Sequence, residues 1–261
     1  MVRIINICSG KGGVGKTTVA ANLGYVLQKL GKKTVIIDFN LTTSHLALQF
    51  GFYDYQKTFN DFLRNEISLK ESIYVHSSGL SIVPASLDLK DLINIDVANL
   101  KERIKETFKD YDFVLLDSAP GLGRESIVAL KSCDEILFVA NPYIPSLVDI
   151  LKYLNLIKKF EYKPNIIGIV LNKVKNKNFE IKKEEVEAAF GLPVIGVIPE
   201  DDSILEALNR RILVTRLKKS RASEALWKLG SKIAGIEYKK SSIFSSLLSI
   251  FKRWKIGAYE I

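Results

Sequence analysis

The sequence predicts an α/β fold: a single domain built on a mostly parallel, twisted sheet with helices on both faces, followed by a C-terminal amphipathic helix. Three observations lead there. Short apolar runs alternate with stretches of helical periodicity along most of the chain, the pattern of βα units whose strands lie parallel under two helical layers. The first run, Ile4-Ile5-Asn6-Ile7-Cys8, opens into a glycine-rich segment and then a helical pattern over 19–30. A length of 261 residues with 47% hydrophobic content supports one substantial core and does not require a second.

The glycine-rich segment is Gly10, Lys11, Gly12, Gly13, Val14, Gly15, Lys16, Thr17 and Thr18. Gly10, four residues, then Gly15-Lys16-Thr17 fit the P-loop pattern, where a strand ends, a helix begins and several backbone N–H groups converge on one anion. Lys16 supplies a point charge for the outer phosphates, and the Thr17 hydroxyl is a ligand for Mg²⁺. A nucleotide with Mg²⁺ is therefore the expected ligand.

The next apolar run, 33–37, ends at Asp38-Phe39-Asn40. Acidic residues at the carboxyl end of a parallel strand face the ligand crevice. From 52 to 95 the pattern is broken, with helices expected at 59–63 and 69–74 and a strand at 80–84. An amphipathic helix over 100–108 leads into a strand over 111–117 that closes on Asp117, which can bind Mg²⁺ directly or through water. Ser118, Ala119, Pro120 and Gly121 follow, with the flexible residues a γ-phosphate sensor needs. The remaining strands are expected at 135–140, 165–171 and 193–198, separated by helices near 146–160 and 180–190.

Lys11 is one lysine more than a P-loop requires. The segment 10–18 resembles the deviant Walker A signature of the MinD/ParA family of ATPases. The resemblance spans about residues 1–235 and leans toward archaeal MinD-like members around Leu41 to Leu46. It implies that Lys11 reaches across a homodimer interface to the partner's ATP. It also makes the segment from Asp38 switch I, where the first acid supports the magnesium site and a second orients the attacking water. Asn40 occupies the second position, and an amide holds a water but accepts no proton, so slow ATP hydrolysis is expected. Lys11, Lys16, Asp38 and Asn40 are thus the candidate catalytic residues; Thr17, Asp38 and Asp117 are the candidate metal ligands. Ser118 to Gly121 resembles switch II. Asn172, Pro199, Glu200 and Asp201 resemble the segments that contact adenine.

The formal charge of +9 implies an anionic partner besides ATP. Arg210, Arg211, Arg216, Lys218, Lys219 and Arg221 place six cations in twelve residues, either a solvated face or, by resemblance to ParA-type relatives, a DNA contact. The tail, 237–261, carries a second pattern. At ~100° per residue Ile243, Phe244, Leu247, Leu248, Ile250, Phe251 and Trp254 share half the helix circumference, opposite serines with Lys252 and Arg253. That is the mark of a helix lying in an anionic bilayer surface, and it resembles the C-terminal membrane helix of MinD proteins. A terminal helix docked on the core is the competing reading. Residues 1–236 are then the ATPase domain.

No apolar stretch approaches the ~20 residues of a bilayer span, and the N-terminus carries no signal-peptide pattern. The expected location is cytoplasmic, peripheral on the inner face of the membrane. Cys8 and Cys133 read as core thiols, His45 and His76 as ordinary polar residues. The combined expectation is an ATP-dependent dimerising switch of MinD type in spatial positioning, stimulated by a further protein. A ParA-like DNA-bound ATPase and a poorly hydrolysing ATP-binding scaffold are the alternatives.

Overall fold

Burial on both faces explains why the apolar runs become strands. In β1 (Arg3–Cys8) five of six residues are buried, as parallel sheets covered on both sides require. The computed structural model describes residues 1–42, 44–88, 95–217 and 219–239. Within them the chain runs β1, α1 (Lys16–Lys29), β2 (Thr34–Phe39), α2 (Leu46–Gln49), α3 (Phe59–Leu63), a 3₁₀ turn (Leu69–Ser72), β3 (Tyr74–Val75), β4 (Ser81–Val83), α4 (Leu100–Thr107), β5 (Phe113–Ser118) and α5 (Arg124–Lys131). It continues through β6 (Glu135–Ala140), α6 (Ile144–Ile157), β7 (Asn165–Val174), α7 (Lys183–Phe190), β8 (Val194–Pro199), α8 (Ser203–Asn209), a 3₁₀ turn (Val214–Arg216) and α9 (Arg221–Ala234).

The eight strands form one sheet in the order β3-β4-β2-β5-β1-β6-β7-β8. Every pairing is parallel except β3 with β4, as the sequence predicts. Alternation along each strand divides the core. Ile4, Val35, Val114 and Phe138 point to one face, packed by α3 to α7. Ile5, Ile36, Leu115 and Leu137 point to the other, under α1, α8 and α9. β1 lies between β5 and β6, so connections leave it in both directions and open a crevice at the strands' carboxyl ends.

Three expectations shift. The helix expected over 69–74 is a 3₁₀ turn followed by β3, because the Glu71 carboxylate accepts from the backbone N–H and hydroxyl of Ser68, both at 2.9 Å, and closes a single turn. The β-branched and aromatic residues Ile73, Tyr74 and Val75 then favour extended chain. The helix expected from 180 begins at Lys183, because Glu180 instead accepts from the backbone N–H groups of Lys175 and Lys177. The strand expected to stop at 171 runs on to Val174 through a register shift between Leu171 and Val174. The tail expected as an amphipathic helix, with Ile243, Phe244, Leu247, Leu248, Ile250, Phe251, Lys252, Arg253 and Trp254, lies outside the described residues. Among the described residues no helix is long and apolar enough to cross a membrane.

Candidate functional site

The crevice holds a cavity of about 410 Å³ lined by residues that include Ser9, Lys11, Gly12, Gly13, Val14, Gly15, Lys16, Thr17 and Thr18. The chain enters α1 through Gly15, whose φ of 88° is left-handed, a conformation glycine adopts without steric cost. A Cβ there would also lie 2.3 Å from the Asn172 amide nitrogen. α1 starts at Lys16 with no side-chain cap and no acidic residue in its first turn, leaving its N–H groups and positive dipole end for an anion.

The sheet register brings the two strand-end acids together. Asp38 on β2 is level with Asp117 on β5, and Asp117 is level with Ile7 on β1. The Lys16 ammonium donates to Asp117 Oδ1 at 2.6 Å, with both side chains nearly excluded from water. Asp38 accepts from the Ser44 hydroxyl at 2.7 Å, the Asn40 N–H at 3.0 Å and the Leu46 N–H at 3.3 Å. Burial first, then the neighbouring Asp117 charge, push the Asp38 carboxyl up to about 7 despite those donors and Lys16. Asp117 Oδ2 is buried and has no hydrogen-bond partner among the described residues. Two clustered carboxylates, one with an unsatisfied oxygen, are hard oxygen donors that suit Mg²⁺, which takes one or two carboxylates and completes its shell with phosphate and water; Thr17 lines the cavity. Among the described residues no group of three or more acids, histidines or cysteines could hold a metal by itself. Asn40 is buried and lines the cavity.

Pro120 also lines the cavity. Ser118 donates its hydroxyl to Asn6 Oδ1, and the Ala119 carbonyl accepts from Ser126 at 2.9 Å. The Gly121 N–H donates to the Ser9 carbonyl at 3.0 Å, so the segment from Ser118 to Gly121 lies directly against the start of the P-loop.

Asn172 sits beneath the P-loop. It is buried, and its amide donates to the Val14 carbonyl at 2.7 Å. Its neighbour Lys173 takes a positive φ of 58°, and its ammonium donates to the Gly13 carbonyl at 2.8 Å. Pro199 ends β8, and the Glu200 N–H donates to the Val174 carbonyl. Asp201 has a structural task that the sequence did not reveal. Burial opposes its charge, but the N–H groups of Ala222 and Ser203 and the Ser220 hydroxyl outweigh it and hold the carboxyl well below the usual range. We therefore expect Asp201→Asn to lower unfolding stability by about 1 kcal/mol at neutral pH. Because the folded-state pKa is depressed, the contribution is complete above the unfolded value near 4 and is lost as pH falls through the folded one. Denaturant melts at pH 7 and pH 2.5 should show the gap between wild type and variant narrowing in acid.

Lys11 stands apart from the carboxylates. Its ammonium lies 5.2 Å from the centroid of the Tyr143 ring, on the connection between β6 and α6. Sequence reasoning missed His45 and Gln49, which also line the cavity, and Glu125, whose carboxylate accepts from the Leu41 N–H at 3.2 Å. His76 packs against Phe50 and Phe52, and Cys8 and Cys133 are buried free thiols, as expected. In the basic run Arg210 pairs with Glu206 at 2.6 Å and Arg211 stacks on Tyr53; Lys218 lies outside the described residues.

Comparison with known proteins agrees with this geometry. Residues 5–214 match the family model of the CobQ/CobB/MinD/ParA nucleotide binding domain. An uncharacterized ATP-binding protein of Methanocaldococcus jannaschii is 32% identical, over 95% of this chain and 96% of its own length. The septum site-determining protein MinD of Thermotoga maritima is 30% identical over 90% of this chain and 89% of its own. The structure of Pyrococcus horikoshii MinD complexed with Mg-ADP superposes with a TM-score of 0.83 at 34% identity, covering 89% of this chain and 96% of that one. A central β1 opening into a P-loop, a lysine-bound Asp117 in register with Asp38, and these similarities together make the chain a member of the MinD/ParA family of nucleotide-binding proteins.

Proposed function

We propose that this protein is an ATP-dependent switch of MinD type: two chains dimerise around ATP and Mg²⁺, the dimer attaches to the inner membrane surface, and hydrolysis releases it, positioning the division site or a surface organelle. The position of Lys11 is the observation that carries the reading. Lys16 already neutralises Asp117 at 2.6 Å, whereas Lys11 stands outside that pair, over Tyr143, and so remains available to a second nucleotide. Phosphate entering the P-loop offers the Lys16 ammonium a second anionic partner, with the α1 N-terminus aligned behind it. Thr17, Asp38 and Asp117 would hold Mg²⁺, which when bound supplies charge that neutralises the phosphate oxygens. Asn172, Pro199, Glu200 and Asp201 are the proposed surroundings of adenine.

Light scattering of the purified chain tests the reading: ATP with Mg²⁺ should double the mass of wild type and leave Lys11→Ala monomeric. Dimers that form equally in the variant would refute the role of Lys11. ATPase rates measured with liposomes, with DNA and with neither separate the membrane reading from a ParA-like one. The DNA reading rests on the cations of 210–221, two of which are already engaged within the chain.

Asn40 bears on the scaffold alternative. Its place in the cavity near Asp38 suits it to hold a water that it cannot deprotonate. We expect Asn40→Asp to raise turnover several-fold, read as phosphate release at saturating ATP. An unchanged or lower rate would count against slow hydrolysis arising at this position.

A further inference from the structure

Pro120, on the cavity wall, lies between two carbonyls that are held from outside the loop. Ser126 of α5 donates to the Ala119 carbonyl. On the other side, the Tyr153 hydroxyl of α6 reaches the Gly121 carbonyl and lies 3.3 Å from the Ser9 carbonyl. The Gly121 N–H donates to that same Ser9 carbonyl. Tyr153 therefore closes a clasp in which the start of the P-loop and the end of switch II share one buried hydroxyl.

The clasp is rigidly mounted. Tyr153 is fully buried, and its ring meets Phe138 of β6 edge-on at 5.7 Å. Burial raises the phenol well above its ordinary value, so it stays a donor throughout the working pH range. One turn earlier on α6, Asp149 lies so close to Gly10 that a Cβ on that glycine would fall 1.8 Å from the Asp149 Cβ. Tyr153 and Asp149 thus fix α6 against both sides of the seam between the phosphate loop and the loop that must sense the terminal phosphate. A phenol at this place is not required for core packing, which phenylalanine would satisfy equally.

We propose that Tyr153 is a positioning residue of the nucleotide site: its hydroxyl, without reaching the nucleotide, holds switch II against the P-loop so that Pro120 and its neighbours meet the γ-phosphate. The inference rests on the ATPase reading above and assigns a residue to it. Hydrolysis depends on preorganised loop geometry, and small displacements cost rate more than affinity. ADP, which lacks the γ-phosphate, should be indifferent to the clasp.

The test is Tyr153→Phe in the full chain, with three readouts: phosphate release, and the affinities of fluorescent ADP and of a fluorescent non-hydrolysable ATP analogue. The expected result is a kcat lowered about tenfold, ADP affinity within about twofold of wild type, and a several-fold loss in the preference for the ATP analogue over ADP. 4-Aminophenylalanine at position 153, which restores an N–H donor on the same ring, should recover most of the rate. A kcat within about twofold of wild type with an unchanged affinity ratio would overturn the proposal. So would equal losses of ADP and analogue affinity that the amino variant does not rescue, since that pattern marks general loosening. If wild type binds both nucleotides but releases no phosphate, the ATPase reading falls, and the affinity ratio still decides Tyr153: a several-fold drop supports the clasp and no change overturns it.

Discussion

Lys16→Ala should abolish measurable nucleotide binding and at the same time lower the melting temperature of the nucleotide-free protein. The first effect follows from losing the cation aimed at the outer phosphates. The second follows from what Lys16 touches without nucleotide. Its ammonium donates to Asp117 at 2.6 Å, with side-chain exposures of 6% and 1%, and it also offsets the Asp38 charge on the next strand. Removing one member of a buried ion pair leaves an uncompensated charge and costs about 3–5 kcal/mol. The double variant Lys16→Ala with Asp117→Asn separates the two effects. The amide removes the stranded charge at nearly the same volume, so melting should recover most of its loss while ADP binding, followed by calorimetry, stays absent. Undiminished ADP affinity in Lys16→Ala would refute the P-loop assignment; unchanged melting would show that the buried pair does not stabilise the empty site.

A chain ending at Lys240 should lose ATP-dependent sedimentation with anionic liposomes while still forming ATP dimers. Each large apolar side chain of the tail gains ~1.5–3 kcal/mol on full burial, but ordering the segment costs ~1–2 kcal/mol per residue. On the proposed reading one tail would bind weakly, while two tails on one dimer would bind as a unit, the second engaging at an effective concentration that raises avidity by ~10²–10⁴. The core ends cleanly ahead of them. Gly235 caps α9 in the left-handed region with φ of 68°, and the Ile236 N–H returns to the Ser231 carbonyl at 2.9 Å, so the cut falls beyond a completed helix terminus. Sedimentation of the shortened chain equal to that of the full one would remove the tail from the membrane reading. Binding of the full chain should weaken with salt, because the flanking lysines and Arg253 contribute electrostatically.

The parts of the site legible in the sequence are those encoded by neighbours in the chain. Gly15 and Lys16 follow an apolar strand directly, and Asp38 and Asp117 close strands whose burial reads as continuous hydrophobicity. The β6 strand was predictable to the residue, Glu135–Ala140, because a buried apolar run has sharp ends. What stayed hidden is what tertiary packing creates between distant residues. Asn172 reaches Val14 across 158 positions, and Tyr153 reaches Ser9 across 144. Nothing local marks either side chain as a support for the P-loop. Glu125 reads as an ordinary first-turn acid, yet its carboxylate accepts from the Leu41 N–H, next to Asn40. Leu69 to Tyr74 misled for a different reason: its apolar spacing fits one helical turn, and a single capped turn satisfies that spacing as well as a longer helix does.

The central place of β1 also sets a timetable for synthesis. Arg3 pairs with Phe113 of β5 and Ile5 with Glu135 of β6, so β1 waits for chain made about 110 residues later before it has its first neighbour. At ribosomal rates of ~5–20 residues per second, that is a delay of roughly 5–20 s. During it the apolar run Ile4-Ile5-Asn6-Ile7-Cys8 lacks both of the strands that flank it in the finished sheet. A nascent chain whose exposed part stops short of residue 113 should therefore be a holdase client.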